Sequence, residues 1–173
     1  IPIPRRVPVS RPAIVTDGQG GLWCGYRGGG LSHYEAAHLR TFTTEDGLTE
    51  NRVFDVLEDR QGRVWAGSYA LDLFDGQGFR QLDRIVGIRG LSEDRAGNLW
   101  IGANVGAFRY DGTQIENMQI KGGASDPGVK RIMEDRTGHI WFPSEEFGAS
   151  RYDGERFTNF TVADGLPSDE AIA

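Results

Sequence analysis

Short apolar runs recur along the chain between polar, glycine-rich stretches. "RVWAGS", "NLWIGA" and "HIWFPS" are three of them, "GAFRYD", "GASRYD" and "RFTNFT" three more. Each is rich in aromatic or β-branched residues and is bounded by Gly or Asp, which predicts short β-strands rather than helices. A further run stands upstream of each group: "AIVTD", "VFDVLED", "IRGLSED" and "VKRIMED". Here apolar residues lie three apart, as in Val53/Val56, Ile88/Leu91 and Val129/Ile132. That spacing suits a helix face, but the runs are too short for one and end in turn residues. A strand with a bulge is expected instead.

The punctuation between these runs repeats. Trp23, Trp65, Trp100 and Trp141 stand 42, 35 and 41 residues apart. An Asp precedes each by six positions (Asp17, Asp59, Asp94, Asp135) and a Gly by three (Gly20, Gly62, Gly97, Gly138). Asp-x-x-Gly suits a tight turn, with Asp capping the first position and Gly accepting positive φ at the last. After each Trp comes an aromatic-acid pair, Tyr34-Glu35, Phe74-Asp75, Tyr110-Asp111 and Tyr152-Asp153, and the last three continue into Gly. Asp-Gly after an aromatic strand is a strong hairpin signal. Four strands per unit, recurring about every 39 residues, predict an all-β protein, a β-propeller of four-stranded antiparallel blades.

The units are read as blade 1 over 12–43, blade 2 over 52–82, blade 3 over 85–118 and blade 4 over 128–161, with a further blade starting at 168–173. Residues 1–11 carry three of the seven prolines, with Pro12 directly after them, and read as an extended segment or an edge strand. "DGLPSDEAIA" at 164–173 parallels "DGLTENRVFD" at 46–55, so the four blades are expected to form part of a larger ring. Open blade faces would then seek further blades or a second copy of the chain.

Composition narrows the function. Gly makes up 25 of 173 residues, which fits many tight turns. The net charge of −6 and the scatter of the 19 basic residues provide no patch for a phosphate backbone, so nucleic acid is not an expected partner. No apolar window is long enough to insert into a membrane. The one cysteine, Cys24, cannot form an internal disulfide and reads as a small core filler. No calcium-loop pattern, phosphate loop or nucleophile elbow is present, and His33, His38 and His139 are scattered over a strand, a connection and a turn. Neither a metal nor another cofactor is expected.

In a four-stranded meander the turns after strands one and three leave on one side, and the connections after strands two and four on the other. The first set is uniform. The second varies, and variable loops on a uniform scaffold are where binding residues are sought. The ligand-binding candidates are therefore Tyr26, Arg27, Tyr69, Asn104, Glu145, Glu146 and Phe147. The last three follow Pro143, which replaces Gly25, Gly67 and Gly102 of the other units. They read either as an acid pair and aromatic reaching a ligand or as a distorted, solvated connection.

The phrase "EDRAGNLWIG…GAFRYDG", followed elsewhere by "RTFTTEDGLTENRV" or "RFTNFTVADGLPSD", resembles the two-component regulator propeller repeat over residues 12–173. The resemblance implies an extracytoplasmic, periplasmic sensor propeller of a hybrid two-component histidine kinase, with a kinase module downstream. It implies a non-enzymatic domain that binds a small ligand, an oligosaccharide for example, or a partner protein. Streptogramin lyases and metal-dependent lactonases are also propellers, so a lyase or hydrolase stays as the alternative. An interaction scaffold without small ligand is the third reading.

Overall fold

The computed structural model describes residues 13–120, 128–144 and 148–170. Their strands form four separate sheets, each an antiparallel meander in chain order. The first holds β1 (Ala13–Thr16), β2 (Leu22–Tyr26), β3 (Gly30–Glu35) and β4 (His38–Phe42). The second holds β5 (Asp55–Glu58), β6 (Val64–Gly67), β7 (Leu71–Phe74) and β8 (Phe79–Asp83). The third holds β9 (Ile88–Glu93), β10 (Leu99–Ala103), β11 (Gly106–Tyr110) and β12 (Ile115–Asn117). The fourth holds β13 (Met133–Glu134), β14 (Ile140–Pro143), β15 (Ala149–Tyr152) and β16 (Phe157–Phe160). The first strands are neighbours across blades, with β1 beside β5 and β5 beside β9. This is a β-propeller arrangement, with its axis along the first strand of each blade.

The core lies between blades, not within them. Trp23, Leu31 and Phe42 of blade 1 pack on Val56, Val64, Ala66 and Phe79 of blade 2. Trp65 and Leu71 of blade 2 meet Ile88, Leu99 and Ile101 of blade 3. Trp100 and Ala107 of blade 3 meet Ile132, Ile140 and Phe142 of blade 4. The first three Trp are thus buried, at 3%, 0% and 2% exposure, while Trp141 is only partly covered and stacks on Phe160. A fully buried Trp removes about 150–250 Å² from water, roughly 4–6 kcal/mol as an upper bound. Gly25, Gly67 and Gly102 follow the same logic, because a Cβ there would collide with Val53, Ile88 or Val129 at the entrance of the next blade.

The turn carboxylates hold the tryptophans. Asp59 takes the backbone N–H groups of Gln61 and Arg63, and its Oδ2 also accepts from Trp65 Nε1 at 2.8 Å. Asp94 and Asp135 bind Trp100 Nε1 and Trp141 Nε1, again at 2.8 Å. Blade 1 departs from the pattern. There His33 Nε2 lies 2.8 Å from Asp17 Oδ2, and the imidazole stacks on Trp23 at 4.0 Å between centroids. In the other blades a side chain four residues after the Asp (Arg63, Asn98 or His139) reaches the same oxygen. Blade 1 has Gly21 at that place, and a Cβ on it would run into Asp17 and His33.

The Asp-Gly-Leu phrases are capped 3-10 turns. Thr43 N–H donates to Asp46 Oδ2, Gly47 sits at φ 96°, and Leu48 is buried. Thr161, Asp164 and Gly165 repeat the arrangement. Gly30 N–H then donates to Asn51 O, as Gly148 N–H does to Asp169 O.

The upstream runs are bulged, and the bulge has a consequence for the site. Gly102 pairs with Gly90 but Ala103 with Ile88, which leaves Arg89 as the extra residue. In blade 2, Phe54 N–H donates to Gly67 O although Gly67 pairs with Asp55. Two expectations need correction. His38 opens β4 rather than lying in a connection. The blade 4 run forms only Met133–Glu134, since the ladder stops at Met133–Trp141 and Pro143, next in register, has no N–H to extend it.

Candidate functional site

Two of the sequence candidates, Arg27 and Tyr69, meet on one aromatic ring, and a third, Asn104, joins them through Arg89. Phe54 lies between the loop after β2, the connector before β5 and the bulge of β9. The guanidinium carbon of Arg89 stands 4.8 Å from its centroid, that of Arg52 5.3 Å and that of Arg27 5.6 Å. Tyr69, from the loop after β6, meets the ring edge-on at 5.8 Å. Asn104, from the loop after β10, accepts a 2.8 Å hydrogen bond at Oδ1 from Arg89 Nε. A backbone bridge between Arg27 and Arg52 fixes the first two arginines relative to each other. Three blades contribute to this cluster.

Tyr26 is close by in the backbone, where its carbonyl accepts from Val53 N–H. Its ring is exposed and makes no ring contact with Phe54 or Tyr69 among the described residues. Glu145, Glu146 and Phe147 lie outside the described residues.

Arg89 also lines a cavity of about 410 Å³ between the first strands, with Asp55, Val56, Leu91, Ser92, Arg131 and others. Burial pushes the Asp55 carboxyl up from its ordinary range, against the opposing pull of the Leu91 and Val56 N–H groups and of Arg131. Its Oδ2 accepts from Leu91 N–H at 2.7 Å and ties β5 to β9. Among the described residues no three His, Cys, Asp or Glu side chains are grouped to hold a metal ion. What the arrangement offers chemically is positive charge, an aromatic surface and hydrogen-bonding groups beside a cavity.

Arg52, Phe54 and Arg89 were not among the sequence candidates, yet a signal for Phe54 and Arg89 existed. Phe54 and Asp55, Arg89 and Gly90, and Lys130 and Arg131 fill equivalent places between the repeated apolar pairs. They are the least uniform positions of an otherwise uniform strand, and a bulge there turns side chains out of the pleat.

Residues 47–70 match the family model described as two component regulator propeller. The matched stretch holds Arg52, Phe54, Asp59, Trp65 and Tyr69. No curated protein matches the chain. Among solved structures, the extracellular domain of the hybrid two component system BT4673 from B. thetaiotaomicron aligns with a TM-score of 0.74 at 19% identity. The alignment covers 88% of this chain and 25% of that one, so the chain spans about a quarter of that domain. Virginiamycin B lyase from Staphylococcus aureus aligns at 0.69 and 14% identity, over 86% of this chain and 55% of the lyase. PorZ, a surface component of the type-IX secretion system of Porphyromonas gingivalis, aligns at 0.66 and 17%, over 92% and 28%. At such identities the likeness establishes a shared fold. No helix among the described residues is long and apolar enough to cross a membrane. Residues 47–70 thus match the two-component regulator propeller repeat, within a β-propeller of four-stranded antiparallel blades.

Proposed function

We propose that this chain is part of the ligand-sensing propeller of a two-component regulator. It acts outside the cytoplasm and without catalysis, and it binds a small ligand, an oligosaccharide, at the mouth formed by the variable loops. The observation that supports this is the meeting of Arg27 and Tyr69 on Phe54, joined by Asn104 through Arg89, so that three blades contribute. Uniform turns on the other side of the sheets tie their carboxylates into the fold, whereas Arg27, Arg52 and Arg89 on this side meet no carboxylate among the described residues. The matched repeat and the extracellular hybrid two-component domain of similar fold agree with the role.

Occupancy would signal by favouring one of two arrangements of the propeller, relative to a second copy or to a downstream kinase module, which requires the ligand to prefer one of them. Two apolar faces are suited to packing on further blades or another copy. One carries Trp141 and Phe160, and the other carries Ile14, Tyr34 and Leu39 at 55%, 49% and 68% exposure.

The lyase fold neighbour supplies the competing reading. A thermal-shift screen of oligosaccharides, run with and without chelator, separates the two. Stabilisation that survives chelator is expected. Turnover of a substrate that chelator abolishes would replace the sensor reading with the enzyme. Silence in both would leave a scaffold.

A further inference from the structure

We infer that the ligand taken at this mouth is an anionic saccharide, held through its carboxylate by Arg27, Arg52 and Arg89 over the face of Phe54. The inference rests on the ligand-binding role proposed above and specifies its chemistry. One guanidinium against an aromatic ring is ordinary packing. Three around one ring, all within 5.6 Å of its centroid, add mutual repulsion. The chain carries 25 acidic residues against 19 basic ones, so carboxylates to neutralise them are not scarce. Elsewhere they are used that way: Arg40, Arg60, Arg63, Arg95, Arg109 and Arg156 each face a carboxylate. Among the described residues, Arg27, Arg52 and Arg89 face none; Arg84, Arg136 and Arg151 also lack one, but only these three gather on a single ring.

The three come from separate elements, and what orients them is not an acid. The Arg27–Arg52 backbone bridge sets two, and the Asn104 side-chain oxygen holds the Arg89 Nε. The remaining guanidinium N–H groups have no hydrogen-bond partner among the described residues and can grip a carboxylate in the two-pronged manner that planar donors favour. Tyr69 beside the ring and Asn104 on Arg89 add a hydroxyl and an amide, groups that suit sugar hydroxyls. The cavity of about 410 Å³ that shares Arg89, with Arg131 on its wall, offers room for the rest of the molecule.

Calorimetric titration tests this with three probes: galacturonate oligosaccharides, neutral galactose oligosaccharides of the same length, and sodium sulfate. Wild-type protein should bind the uronates, more weakly as salt is raised, and the neutral sugars at least about tenfold less well. Arg52→Gln and Arg89→Gln should each weaken uronate binding about tenfold or more. Arg84→Gln, an exposed arginine outside the cluster, should leave it unchanged. Unaltered circular dichroism and melting would show that the variants are folded. Equal affinity for neutral and acidic sugars, unaffected by the two variants, would overturn the anionic inference and leave the oligosaccharide-binding role standing. Sulfate binding as tight as uronate would overturn the saccharide class. Binding of none of the three would overturn the ligand-binding role and the inference with it.

Discussion

The two rims of these blades treat charge in opposite ways. On the turn side, every repeated Asp is engaged. Burial works against ionisation of Asp59, but the hydrogen bonds from Trp65 and Arg63 more than offset it, and the carboxyl sits below its ordinary range. Asp17 is lowered chiefly by its bond to His33, and Asp135 by those from Trp141 and Thr137. Asp111, at the second kind of turn, is lowered to about 2 by Thr113 and the Gln114 N–H. On the other rim, Arg27, Arg52 and Arg89 share one aromatic ring and meet no acid among the described residues. The difference teaches where to look for function in a repeat protein. The carboxylates that recur from unit to unit are engaged in holding the strands, and the arginines of this cluster, which do not recur, are where a partner is sought.

The largest effect that could break this comparison concerns the tryptophans. Trp65→Ala should cost about 3–5 kcal/mol in urea unfolding, and Trp141→Ala, where the indole is only partly buried, under about 2 kcal/mol. Equal losses would mean that the Trp acts inside its own blade and not between blades. Next in size, Asp59→Ala should cost about 2–3 kcal/mol at neutral pH, because it strands the buried Trp65 N–H and the Arg63 guanidinium. The sign with pH follows from the lowered carboxyl. Its contribution is complete above the ordinary value of 3.8 and fades as pH falls through the folded value, so the gap between wild type and variant should narrow in acid. A gap that stayed constant down to pH of about 2 would show that the charge on Asp59 is not what holds the indole. The smallest effect sharpens the other side. Arg52→Gln should change stability by no more than about 0.5 kcal/mol, or raise it slightly as like charges separate. A loss above about 1 kcal/mol would make the arginine cluster a structural device.

Much of the architecture was legible because its causes are local. Asp-x-x-Gly and Asp-Gly specify turns through the conformations of four consecutive residues, and the capped Asp-Gly-Leu connector closes within six. Even the bulge showed, as a three-residue spacing in a run too short for a helix. The Asp–Trp bond was missed although its six-residue spacing is constant, since a turn explanation for the Asp seemed sufficient. His33 could not have been paired with Asp17 from spacing alone. The pairing depends on the register that sets His33 opposite Trp23, and its only trace in the sequence is Gly21 where the other units have a side chain.

For the candidate site, Arg27, Tyr69 and Asn104 were found because their loops vary, but Arg52, Phe54 and Arg89 were not. Arg27 and Arg89 are separated by two blades' worth of chain, and nothing local relates them. The sequence by itself determined the strands, the turns and their repetition, because turn chemistry and the preference of aromatic and β-branched residues for strands act within a few residues. Only the tertiary structure decided which loops share a ring. That depends on how one blade seats on the next, a matter of Trp65 packing against Ile101 and Val53 against Gly25, summed over surfaces far apart in the chain.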